Sequence, residues 1–111
     1  MVFGLFESKS EQLTKKYFKI ARELFAASRR VLNNPDSEWW KNYWCGTEDH
    51  LREINQDIKS EMGEEYMINL ENMIGKEYEK SIYFLSKKDD DKLFDLISEY
   101  KIRNNIPRIF T

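Results

Sequence analysis

Cys45 and His50, a thiol and an imidazole five residues apart, are the side chains in this sequence most readily put to chemical work. A thiol attacks as its thiolate, which needs a nearby cation or a helix N-terminus to lower its pKa. Cys45 instead falls at the end of a predicted short helix, and the acidic Glu48 and Asp49 that follow act to raise its pKa. The pair is expected to be chemically silent, with Cys45 a small core residue beside the neighbouring tryptophans. His50 is the single histidine, with Glu53 three residues on. A carboxylate-bridged di-iron bundle needs two such Glu/His elements and two further glutamates, and a tetrahedral zinc site needs two ligands beyond Cys45 and His50. Asp89-Asp90-Asp91 lacks the alternating spacing and the glycine of a calcium loop. The four glycines, Gly4, Gly46, Gly63 and Gly75, are too dispersed to cradle a phosphate. These residues point to no catalytic group, no metal and no cofactor.

Aromatic residues carry a different kind of chemistry. Trp39, Trp40, Tyr43 and Trp44 crowd into six positions. On a helix Trp40, Tyr43 and Trp44 share one side, while Trp39 points about 100° away, so one face cannot bury all four. Large rings left in solvent serve as interface anchors, because Trp, Tyr and Arg dominate binding hot spots. Acidic residues flank the cluster: Asp36 and Glu38 before it, Glu48, Asp49 and Glu53 after it. The nine residues Asp36, Glu38, Trp39, Trp40, Tyr43, Trp44, Glu48, Asp49 and Glu53 are therefore the candidate partner-binding surface.

Charge is distributed unevenly behind a net of −2. Residues 7–33 hold seven Lys/Arg against three Glu, whereas residues 36–65 hold nine Asp/Glu against three Lys/Arg. Lys15, Lys16, Lys19, Arg22, Arg29 and Arg30 form a basic side on the first segment. Nucleic acid is nevertheless not expected, because the pI is near 5.5 and the acidic block repels phosphates.

The elements that position these residues are helical. Ser8 and Glu11 have capping-box spacing, and Leu13, Tyr17, Ile20, Leu24, Ala27 and Val31 then alternate by four and three. The spacing predicts a core-facing helix of about 24 residues, stopped at Asn33-Asn34-Pro35. Asp36 or Ser37 is expected to cap a short second helix closed by Gly46. Thr47 is expected to cap a third, on Leu51, Ile54, Ile58 and Met62, with His50 in its first turn. A fourth is predicted from Glu64 to Ser86, and a fifth, capped by Asp90, on Leu93, Phe94, Ile97 and Tyr100. The stretch from Ile102 to Thr111 is predicted to be an extended tail. With 111 residues, 41% of them apolar, and few Gly or Pro, the chain reads as a single all-α domain over 1–111, a compact bundle of four to five helices.

A lone cysteine forms no intrachain disulfide. The apolar start Met1–Phe6 is too short for the core of a signal peptide, and no run approaches the ~20 residues of a membrane span, so a cytoplasmic location is expected. An acidic surface with aromatic anchors suits a protein that neutralises a basic partner, such as a toxin or a nucleic-acid-processing protein. Charge steers such an encounter and desolvated rings hold it. In this general character the sequence resembles bacterial immunity proteins, antitoxins and phage-encoded inhibitors, a likeness of composition rather than of any motif. The alternatives are a structural or adaptor subunit that self-associates through the stripe of helix one, and nucleic-acid binding through its basic side.

Overall fold

The computed structural model describes residues 8–106, and these form four helices: α1 (Lys9–Asn33), α2 (Glu38–Met62), α3 (Glu64–Glu79) and α4 (Lys87–Arg103). There is no strand among the described residues. Met1–Phe6 and the last part of the predicted tail, from Pro107, lie outside them.

Helix α1 follows the sequence pattern closely. The Ser8 hydroxyl accepts the Glu11 N–H at 3.2 Å, satisfying one of the orphan donors at the helix start. Leu13, Tyr17, Ile20, Ala27 and Val31 are buried, while Leu24, in the middle of the stripe, is only half-buried.

The main departure is α2, which runs unbroken through Gly46 where two helices were expected. Its cap is Ser37, whose hydroxyl accepts the Trp40 N–H at 3.2 Å. Thr47 caps nothing; its hydroxyl donates to the Tyr43 carbonyl one turn back, at 2.8 Å, as a threonine inside a helix does. His50 accordingly lies in the middle of the helix. A mid-helix glycine costs only ~1 kcal/mol relative to alanine. Thr47, Leu51, Ile54 and Ile58 continue the inward face begun by Trp40 and Trp44, and that burial outweighs the glycine. The true stop is Gly63, at φ 88°, a backbone conformation open to glycine at little cost.

Helix α3 ends at Glu79, well before Ser86. The Ser81 hydroxyl donates to the Tyr78 carbonyl (2.8 Å), and the Tyr78 hydroxyl accepts the Leu85 N–H (2.9 Å). These bonds fix a bend that turns the chain into α4. Ser86 then caps α4 by accepting the Asp89 N–H at 3.1 Å, one turn before the expected Asp90. Leu93, Ile97 and Tyr100 are buried, but Phe94, expected beside them, is exposed. Helix α4 also extends to Arg103, into the stretch predicted as tail.

Helices α1 and α2 form an antiparallel spine. Lys9 pairs with Glu61 at one end (2.8 Å), and the Arg30 guanidinium lies over the Trp40 ring at the other (5.5 Å). Helix α3 covers the first half of α1, through Thr14–Tyr66, Arg22–Glu77 and the Phe25–Tyr78 ring contact. Helix α4 covers the other half of α1 through Arg29–Asp89, and the adjoining part of α2 through Tyr100–Asn42 and Lys101–Glu48. The core accordingly has two parts: Ile54, Ile58, Met67, Leu70 and Ile74 meet the start of α1, while Cys45, Leu85, Leu93, Ile97 and Tyr100 meet its end. No helix among the described residues is long and apolar enough to cross a membrane.

Candidate functional site

The continuity of α2 decides where each candidate residue goes. Trp44 turns inward: its indole N–H donates to the Ser28 hydroxyl at 2.8 Å, and the Lys101 ammonium lies 5.8 Å from its ring centre. Trp40 is half-buried beneath Arg30. Trp39 is 66% exposed and Tyr43 38% exposed. One turn apart, their rings stack with centroids 5.7 Å apart and planes 4° from parallel. Tyr43 thus joins Trp39 on the outer side instead of lying with Trp44, and Trp40 meets both rings edge-on.

The acidic candidates divide in the same way. Glu38 pairs with Arg103 at 3.3 Å. Glu48 is held by Lys101 at 2.9 Å and by Arg52 at 3.3 Å, and Asp49 by Arg52 at 2.9 Å. These three carboxylates are partly neutralised inside the chain, toward α4. Asp36 and Glu53 make no ion pair among the described residues. The basic side of α1 is offset in part as well. Arg22 makes two hydrogen bonds of 2.7 Å to Glu77, which hold the Glu77 carboxyl below its ordinary pKa, and Arg29 lies 3.5 Å from Asp89.

Beside the Trp39–Tyr43 stack an open groove of about 350 Å³ runs between α1 and α2, lined by Ile20, Glu23, Asn42, Tyr43, Gly46, Thr47 and His50. A Cβ added at Gly46 meets no atom within 4 Å, so the glycine leaves open space on this wall. Apart from the Tyr100–Asn42 bond at one edge, the ion pairs, hydrogen bonds and ring contacts of α1 and α2 with α3 and α4 fall on other parts of their surfaces, so among the described residues this side of the spine is uncovered. Trp39, Tyr43, Gly46, His50, Glu53 and Asp57 follow one another by four and three along α2, placing all six on this side. Gly46, His50, Asp57 and the α1 residues Ile20 and Glu23 were absent from the sequence-derived set. Their signal was that spacing, hidden by the assumption that Gly46 ended a helix.

Cys45 is buried between α2 and α4, and its thiol is pushed up to about 11. Burial is the largest cause; Glu48 and Asp49 add to it and Lys101 opposes it. The direction matches the sequence reading, but desolvation rather than acidic neighbours leads. Among the described residues no group of three or more His, Cys, Asp or Glu is placed to hold a metal ion. No protein-family model, curated protein or solved structure matches the chain.

Proposed function

We propose that this chain is a non-catalytic protein-binding domain that engages its partner through the uncovered side of the α1–α2 pair, with the Trp39–Tyr43 stack as anchor. The observation that carries this reading is the exposed stack standing at the edge of a groove floored by Ile20 and opened by Gly46. A flat pair of rings that are already ordered against each other loses little entropy on contact and covers much apolar area. The side chain of a partner entering beside Gly46 is shielded from water by those rings.

Neutralising a basic partner, in the manner of an immunity protein, antitoxin or phage inhibitor, stays within this reading in a narrower form. Its charge then rests on Asp36, Glu23, Glu53 and Asp57, because Glu38, Glu48 and Asp49 are engaged within the chain. The inward stripe of α1 is buried, so it is not the surface for self-association or any other contact.

The test is capture from native cells by the wild type, by Trp39→Ala and by Gly46→Trp, with Ile68→Trp on the exposed side of α3 as control. A specific protein retained by the wild type and the control, and lost from both groove variants at unchanged melting temperature, supports the reading. Identical capture by all four proteins overturns it. For the inhibitor form, the captured protein is basic and its association slows as salt rises.

A further inference from the structure

We propose that the uncovered α1–α2 side binds the same side of a second copy of this chain, the two spines running parallel about a two-fold axis directed along the helices. The proposal rests on that side being the binding surface, and it names the occupant. What selects a second copy is the sign of the charge on the two helices. On α1 the uncovered positions are Lys16, Lys19, Glu23 and Arg30, with cations in surplus. On α2 the charged ones are Glu53 and Asp57, with no cation among them. Lys16, Lys19, Glu23, Glu53 and Asp57 form no ion pair among the described residues. A uniformly basic partner gains on the α2 half of this surface and loses on the α1 half, and a uniformly acidic partner does the reverse. A copy of the same surface, turned so that its α2 meets this α1, satisfies both.

The register of the spine fixes the heights. Lys9 stands opposite Glu61, Ile20 and His50 line the same groove, and Arg30 stands opposite Trp40. Lys16 and Lys19 therefore lie level with Ile54 and Leu51, on either side of Glu53, with Asp57 within one turn of Lys16. A two-fold axis along the helices keeps heights unchanged and lays α1 of one copy on α2 of the other. Lys16 and Lys19 then face Glu53 and Asp57 of the other copy, twice by symmetry. Arg30 comes level with Trp39 of the other copy, where a guanidinium over an exposed indole is favourable. Gly46 comes level with Ile20 and Glu23 of the other copy, and its missing side chain lets the helices approach. The antiparallel alternative sets α1 on α1 and α2 on α2, each helix against one with its own surplus of charge.

The area is adequate. Two helices of 25 residues are each roughly 37 Å long and together roughly 20 Å across, about 700 Å² per copy. A standard stable interface covers ~800 Å² per partner.

The experiment is sedimentation equilibrium of the full chain and of two double variants, Lys16→Glu/Lys19→Glu and Glu53→Lys/Asp57→Lys, alone and mixed. The wild type is expected to approach twice its monomer mass of 13.5 kDa as concentration rises, and to dissociate as salt is added. Each variant alone then opposes like charges and stays monomeric. Their equimolar mixture regains the doubled mass, because both contacts of the mixed pair are again of opposite sign. That rescue also shows both variants to be folded. A wild type monomeric at all concentrations overturns the proposal, as does a variant that dimerises like the wild type or a mixture that stays monomeric. A monomeric wild type whose capture of another protein is still lost in Gly46→Trp removes the second copy alone and leaves the binding surface standing.

Discussion

Trp39 and Trp44 lie five positions apart on one helix, and a rotation of about 140° separates their fates. Trp44 faces the side of the spine closed by α4, where its N–H is committed to Ser28 and its ring is capped by Lys101. Trp39 faces the open side, meeting Trp40 edge-on and Tyr43 in a stack. On the closed side the Trp44 N–H and the Glu48 carboxylate are tied to the chain, Glu48 to Lys101 and Arg52. On the open side the stacked rings are exposed, and Glu53 and Asp57 make no ion pair among the described residues. The difference separates residues that make the fold from residues that the fold displays.

The largest expected effect that sharpens this contrast comes from cutting the closed side. Ile58→Ala and Met67→Ala remove fully buried side chains and are each expected to cost ~2–5 kcal/mol in denaturant unfolding. Trp39→Ala is expected to stay within ~0.5 kcal/mol of wild type despite deleting a larger side chain. A loss at Trp39 that rivals Ile58 breaks the comparison. Trp44→Phe comes next, at about 1–2 kcal/mol, from the lost hydrogen bond and the smaller ring. Ser28 softens that loss because its hydroxyl still donates to the Leu24 carbonyl.

Gly46→Ala is a smaller effect of opposite sign. Since the new methyl meets nothing, removing glycine from mid-helix is expected to stabilise by ~0.5–1 kcal/mol and to raise the melting temperature. A fall in melting temperature shows that the groove wall is tighter than described.

The smallest effect at neutral pH concerns the buried acids of the closed side. Burial pushes the Cys45 thiol up to about 11 and the Tyr17 hydroxyl up to about 12, from ordinary values of 9.0 and 10.0. At neutral pH, well below 9.0, both are protonated in both states and stability does not depend on them. As pH rises further, the unfolded chain releases protons that the folded chain retains, so stability falls until the folded values are passed. Urea titrations across this range are expected to show the decline, with a later onset in Cys45→Ala. A wild-type curve flat up to pH 12 shows that neither group is desolvated as described.

Much of the fold was legible where pattern and capping agreed. Helix α1 has unbroken four-and-three spacing and a serine cap, and its bounds follow from them. Gly46 misled because local propensity argued for a stop while the buried face from Trp40 through Ile58 argued for continuation. Burying that face stabilises the helix by more than one glycine costs it. The end of α3 depended on Tyr78, which pins Leu85 from seven residues away, a contact no local pattern contains. In the candidate surface, Trp39 and Asp36 were read from local sequence. The pairing of Glu48 with Lys101 and of Glu38 with Arg103 required α4 to be laid across α2, and so it was invisible before the fold.

If the closed side holds the fold while the open side binds, Gly46→Trp separates the two roles in one protein. Its melting temperature and the mass of its complexes are to be measured beside those of the wild type. The expected result is a melting temperature close to that of the wild type, together with loss of the complex the wild type forms, whether with a second copy or with a captured protein. A complex of unchanged mass and affinity, with an indole filling the groove, contradicts this division of the molecule.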